Sequence, residues 1–120
     1  MKKLAVLVAA AFFAFLLQIS AGLEARSQDP ATARQLKAGQ RVYRLHCQSC
    51  HGREGDHPDK AFNLADKEWK HGASLGDIEK TVKKGVKGTA MLGFERRLTA
   101  KQIASVTRYV YSFQEESDKK

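Results

Sequence analysis

Cys47-Gln48-Ser49-Cys50-His51 is the stretch on which the fold of this chain turns. It is a C-x-x-C-H motif, the pattern of covalent c-type haem attachment. The two thiols add to the two vinyl groups of haem and form thioethers. Two intervening residues set the sulfurs at the separation of those vinyls. The adjacent histidine then lies beneath the iron, where its imidazole is the proximal ligand. Two other chemistries use paired cysteines. A thioredoxin-like dithiol follows a strand and opens a helix, whereas here the motif closes a helix. A zinc site needs four ligands. His46, His57 and His71 could supply imidazoles, but no second metal-binding pair accompanies Cys47 and Cys50. The motif therefore predicts one covalent haem c with its iron.

Upstream of the motif, Leu36, Gly39, Val42, Tyr43, His46 and Cys47 recur at helical spacing. Asp29-Pro30 is a helix start, with Asp as cap and Pro at the first helical position. The first helix thus runs from there into the cysteines. Further back, Met1-Lys2-Lys3, the apolar run Leu4 to Leu17 and the small residues Ser20, Ala21, Gly22 and Ala25 follow the layout of a secretory signal peptide. Residues 1–25 are read as that signal and 26–120 as a cytochrome c domain. The alternative is an uncleaved anchor, since Leu4 to Leu23 could just reach across a bilayer of ~30 Å. Either way the domain is expected in the periplasm.

Downstream, Gly52 to Lys60 is a polar loop, and Asn63 to His71 is expected to hold one short helix carrying Trp69. Ser74 caps the next helix with Asp77 at its third position, Leu75, Ile78 and Val82 make its stripe, and Gly85 ends it. Gly85 to Phe94 holds three glycines and is expected to be irregular. Thr99 and Gln102 form a capping box, bracketed by Leu98 and Ile103 as a hydrophobic staple. Ile103, Val106, Val110 and Phe113 form the buried face of the last helix, and Gln114 to Lys120 reads as a frayed end. No segment reads as a strand ladder. The fold class is all-α: a small cytochrome c fold of three to five helices around one haem.

The charge and size fit this reading. The 120 residues carry 21 Lys+Arg against 13 Asp+Glu. Without residues 1–25, and hence without Lys2, Lys3 and Glu24, 19 face 12, a net +7. A domain of about 95 residues has a small core, and two cysteines allow no disulfide framework, so an internal cofactor supplies what the chain lacks. Scattered positive charge on an exported chain argues against nucleic acid. It favours redox partners with acidic docking surfaces, whether an oxidase, a quinol-oxidising complex or a dehydrogenase.

A haem iron has a second axial position. Apart from the initiator, the one methionine is Met91, in the glycine-rich stretch. Its thioether is the leading candidate, and His57 and His71 are the rivals that would give bis-histidine iron. Met/His ligation raises the reduction potential and leaves no open site for oxygen or peroxide. It predicts an electron carrier with no catalytic residues. An open distal position would instead predict peroxidase-like or ligand-sensing chemistry. The haem propionates need donors, for which Trp69, through its indole N–H, and an Arg or Lys are candidates.

The residues from Gly39 to Phe113 resemble the class I monohaem cytochromes c. The resemblance rests on Gly39-x-x-x-Tyr43-x-x-x-Cys47-x-x-Cys50-His51-Gly52, Asn63-Leu64, Gly88-Thr89-Ala90-Met91 with Phe94 three on, and Leu98-Thr99 through Tyr109-Val110. The run from Trp69 to Tyr109 looks most like the cytochrome domains of cbb-type haem-copper oxidases and their soluble relatives. The resemblance implies that the first and last helices cross, with Gly39 allowing close approach near Tyr109. It supports Met91 as distal ligand and places Tyr43 and Phe94 among the haem-binding residues. Two positions depart from the pattern. Phe62 stands where the family often has the proline whose carbonyl orients the ligating histidine, and Leu92 stands where a proline commonly follows the methionine.

Overall fold

Four helices carry the described chain: α1 (Pro30–His46), α2 (Gln48–His51), α3 (Leu75–Lys84) and α4 (Ala100–Ser117). The structure is a computed structural model and describes residues 30–117. The signal segment 1–25 and the Asp29 cap lie outside the described residues. Among the described residues there is no strand, only one isolated antiparallel bridge between Gly85 and Leu92.

Helix α1 begins at Pro30, as its sequence predicts, and buries Val42 and Tyr43. Arg44 and His46 occupy its last turn, where positive charge favours the negative helix end. The backbone breaks at Cys47 and rewinds into the single turn of α2.

Helix α3 owes its start to Ser74. The Asp77 N–H donates to Ser74 Oγ at 3.1 Å, and Asp77 Oδ2 accepts from the Ser74 N–H at 3.3 Å, a reciprocal capping box. Ile78 and Val82 are buried, and α3 packs on α4. At its other end Gly85 adopts φ 72°, and a Cβ there would sit 2.6 Å from the Gly93 nitrogen. Helix α4 starts on the predicted Thr99–Gln102 box: the Gln102 N–H donates to Thr99 Oγ1 and the Thr99 N–H to Gln102 Oε1. Ile103, Val106, Val110 and Phe113 are its buried face.

The α3 cap has a pH signature. Hydrogen bonds from the Ser74 hydroxyl and then the Ser74 N–H hold the Asp77 carboxyl below the usual carboxylate range. A folded value below the unfolded one gives stability that is present above the unfolded value. It is lost as pH falls through the lowered folded value. Ser74→Ala removes the N-cap hydroxyl, and loss of such a cap is expected to cost about 1 kcal/mol in denaturant melts at neutral pH. The gap between variant and parent should narrow in acid, where the bonds to the carboxylate are lost while the Asp77 N–H to Ser74 Oγ bond remains.

Helices α1 and α4 meet where the sequence has Gly39. A Cβ at Gly39 would collide with the Ser105 carbonyl oxygen and lie 2.7 Å from Tyr109 Cβ. Around this contact Tyr43 meets Tyr109 and Phe113 edge-on, at ring separations of 5.4 and 5.5 Å. The expected crossing is thus an aromatic clasp beside a backbone-to-backbone contact.

Two expectations differ from the structure. Residues 63–71 form turns and bends rather than a helix. The Asn63 side chain accepts from the Ala65 N–H and the Asp66 side chain from the Glu68 N–H, while Lys67 takes φ 62°. Short polar side chains have captured the donors that a helix needs. The last helix is also longer than expected. It continues through Gln114 to Ser117, with Arg108 pairing to Glu115 and Gln114 Nε2 donating to the Ala73 carbonyl.

Candidate haem site

Helix α1 delivers Cys47 to the core edge. Its N–H still donates to the Tyr43 carbonyl at 2.8 Å, as if the helix continued. Then the Cys50 and His51 N–H groups both turn back to the Cys47 carbonyl, at 3.1 and 3.0 Å. This tight turn brings the two thiols and the imidazole into one short unit. Cys47 is half-buried against the core and Cys50 is exposed.

The dithiol and zinc alternatives both fit poorly. In the free chain, burial and then the neighbouring Cys50 push the Cys47 thiol up to about 11. A dithiol exchange nucleophile needs the opposite shift. Among the described residues no cluster of three His, Cys, Asp or Glu side chains could hold a metal ion.

His51 is oriented by the backbone. Its Nδ1–H donates to the Phe62 carbonyl at 2.8 Å, which leaves Nε2 with its lone pair. That is the tautomer a ligating imidazole requires. Phe62 thus supplies, as a non-proline residue, the carbonyl that the resemblance assigned to proline. Tyr43 steadies the next residue. Its hydroxyl donates to the Gly52 carbonyl at 2.9 Å, and burial pushes its phenol far above the usual range. Tyr43 is wholly buried, with its polar end already engaged by the chain.

The Met91 segment is tied at both ends. The Val86 N–H donates to the Met91 carbonyl at 2.8 Å, the Met91 N–H to Thr89 Oγ1 at 3.1 Å, and the Phe94 N–H to the Val82 carbonyl at 2.9 Å. These bonds and the Gly85–Leu92 bridge hold the loop without a proline at Leu92. Phe94 is buried, and its ring lies 6.0 Å from that of His46, the residue before Cys47. Met91, Trp69 and Cys47 are all partly buried against the same core.

The residues fit a haem in one further respect. The indole N–H of Trp69 is buried and has no partner. An unmet buried donor is costly, and a haem propionate would satisfy it. Asp66 Oδ2 and Thr107 Oγ1 are also buried without a partner; nothing in the sequence singled them out. The two rival histidines differ in their surroundings. His57 Nδ1 accepts from the Asp59 N–H at 3.1 Å and its ring packs on Phe62, on the Nδ1 side of His51; His71 is exposed.

A helical chain with its first and last helices crossing, and a C-x-x-C-H turn whose histidine is oriented through Nδ1, defines a c-type cytochrome domain with one covalent haem c. The family model for cytochrome c oxidase, cbb3-type, subunit III matches residues 34–110, and the chain belongs to that family. It is similar to the cbb3-type cytochrome c oxidase subunit CcoP of Rhodobacter capsulatus, 35% identical over 94 residues, covering 72% of this chain and 32% of that protein. The CcoP subunit of Azospirillum sp. (strain B510) is 33% identical over 89 residues, 64% of this chain and 30% of its own. The chain therefore spans about a third of the length of these relatives. No solved structure matches it. Among the described residues no helix is long and apolar enough to cross a membrane.

Proposed function

We propose that this domain carries single electrons on a haem c held by Cys47 and Cys50 and ligated by His51 and Met91, on the periplasmic side of a respiratory or dehydrogenase-linked chain. The observation that carries this reading is the His51 Nδ1–Phe62 carbonyl bond within the C-x-x-C-H turn. Haem c, when bound, supplies a one-electron iron couple. The chain's own part is to orient, enclose and dock. His51 offers Nε2 in a fixed direction, and the pinned 85–94 loop carries the Met91 thioether. Trp69 offers its N–H to a propionate, and Phe94 supplies apolar packing beside the last turn of α1. A haem held by both His51 and Met91 would change little in geometry between oxidation states, which would keep the barrier to transfer low.

Docking is assigned to positive charge. Lys87, Arg96 and Arg97 are exposed on and beside the Met91 loop. The net +7 of residues 26–120 would raise encounter rates with acidic partner surfaces. The family match favours a second reading, a dedicated cytochrome subunit of an oxidase complex. Gel filtration of native extract separates the two: a subunit elutes with its complex, a shuttle alone.

The test is direct. Produced with haem-attachment machinery, the exported chain should weigh one haem more than its polypeptide, and Cys47→Ala/Cys50→Ala should weigh the polypeptide alone. A colourless parent of polypeptide mass would end the proposal. Its electron-transfer rate to an acidic partner should fall steeply with added salt; a flat response would remove the docking assignment.

A further inference from the structure

Residues 52–65 form a loop that closes through its own polar groups, and His57 stands at the centre of that network. The Asp59 N–H donates to His57 Nδ1 at 3.1 Å, so the ring proton sits on Nε2. The His57 carbonyl accepts from Asn63 Nδ2 at 3.0 Å. The His57 ring meets the Phe62 ring edge-on, 5.3 Å between centroids. The Phe62 N–H donates to the Asp59 carbonyl at 3.0 Å. The residues on both sides of Phe62, and its ring, are thus tied to His57 directly or through Asp59.

This matters because of what the Phe62 carbonyl does. It accepts the Nδ1–H of His51 at 2.8 Å. A proline in that place would have its φ fixed by its ring. Phenylalanine has a free φ, so the direction of its carbonyl has to be set by contacts. The loop provides them from three directions: the Asp59 turn behind, the Asn63 amide ahead and the imidazole ring against the phenyl ring.

We propose that His57 is a positioning residue for His51: a neutral ring acceptor and aromatic clamp that aims the Phe62 carbonyl at His51 Nδ1. The proposal rests on the reading of His51 as axial ligand. A well-aimed carbonyl draws on the Nδ1 proton and makes the imidazole a stronger donor. A stronger donor favours the oxidised iron and lowers the reduction potential. Loosening His57 therefore raises it.

Three substitutions in the haem-loaded full chain test this. His57→Ala removes acceptor and ring. His57→Asn keeps an acceptor for the Asp59 N–H, since an Asn side chain bonds the N–H two residues on. His57→Phe keeps a ring against Phe62 and loses the acceptor. The expected result is a positive shift of the midpoint potential, largest in His57→Ala. It should be enough for a tenfold change in the oxidised-to-reduced ratio at fixed poise, 59 mV for one electron, with smaller shifts in the other two. A parental potential in His57→Ala overturns the proposal. Should that variant not fold, a shift in either His57→Asn or His57→Phe supports it, and parental potentials in both overturn it. Failure of the axial reading shows separately, as a haem c spectrum that His51→Ala leaves unchanged.

Discussion

Met91→Ala is expected to keep the haem attached and to lower the midpoint potential by on the order of 0.1–0.3 V, within the ~0.8 V that axial ligands command. The reasoning separates the loop from its side chain. The loop is held by backbone bonds, Val86 N–H to the Met91 carbonyl and Phe94 N–H to the Val82 carbonyl, which an alanine keeps. Attachment depends on Cys47 and Cys50, far away in sequence. What the substitution removes is one partly buried thioether, at a packing cost of roughly 1–2 kcal/mol, below the range for fully buried methionine. A soft thioether favours reduced iron, so its loss favours the oxidised form. The reduced variant should also bind carbon monoxide fast and fully, where the parent does not. An unchanged potential and no carbon monoxide binding would show that Met91 is not the ligand, and His71 would then be tested next.

The parts of this fold that could be read in advance are those written in side chains at fixed spacing. Ser74–Asp77 and Thr99–Gln102 are three apart, and each pair of residues both makes the bond and signals it. Gly39 was marked by the resemblance, which implied a close approach near Tyr109 that demands the absence of a side chain. The parts that could not be read are written in backbone. The Phe62 carbonyl that holds His51 would be offered by any residue at that position, so the resemblance marked the place and the bond, but the side chain there could not say whether this chain makes it. The 63–71 segment misled for a related reason. A short helix carrying Trp69 was expected there, yet Asn63 and Asp66 bond the N–H groups two residues on, and those local turns win. The extension of α4 to Ser117 is accompanied by a bond from Gln114 to Ala73, 41 residues away, which no local pattern encodes.

Gly39→Val is expected to abolish the folded state, and Gly39→Ala to cost about 3 kcal/mol or more, at or beyond the upper end of ordinary overpacking. The neighbours decide the size. A Cβ at this position meets the Ser105 carbonyl oxygen and carbon and Tyr109 Cβ, all backbone or the first side-chain atom of a helix. None can rotate away, so relief comes only from moving α1 off α4. A gap of 0.5–1 Å forfeits a quarter to a half of each contact's attraction. The clasp of Tyr43, Tyr109 and Phe113 depends on that separation. Alanine's better helix propensity returns only about 1 kcal/mol, against a domain stability of about 5–15 kcal/mol. Gly76→Ala supplies the opposite sign in the same molecule. It lies in α3 with only Ser74 Oγ nearby, 3.8 Å from the added carbon. There the propensity gain stands alone, and thermal melts should show stabilisation of roughly 0.5–1 kcal/mol. Equal melting temperatures for the two alanine variants would mean that α1 and α4 do not meet through backbone at Gly39.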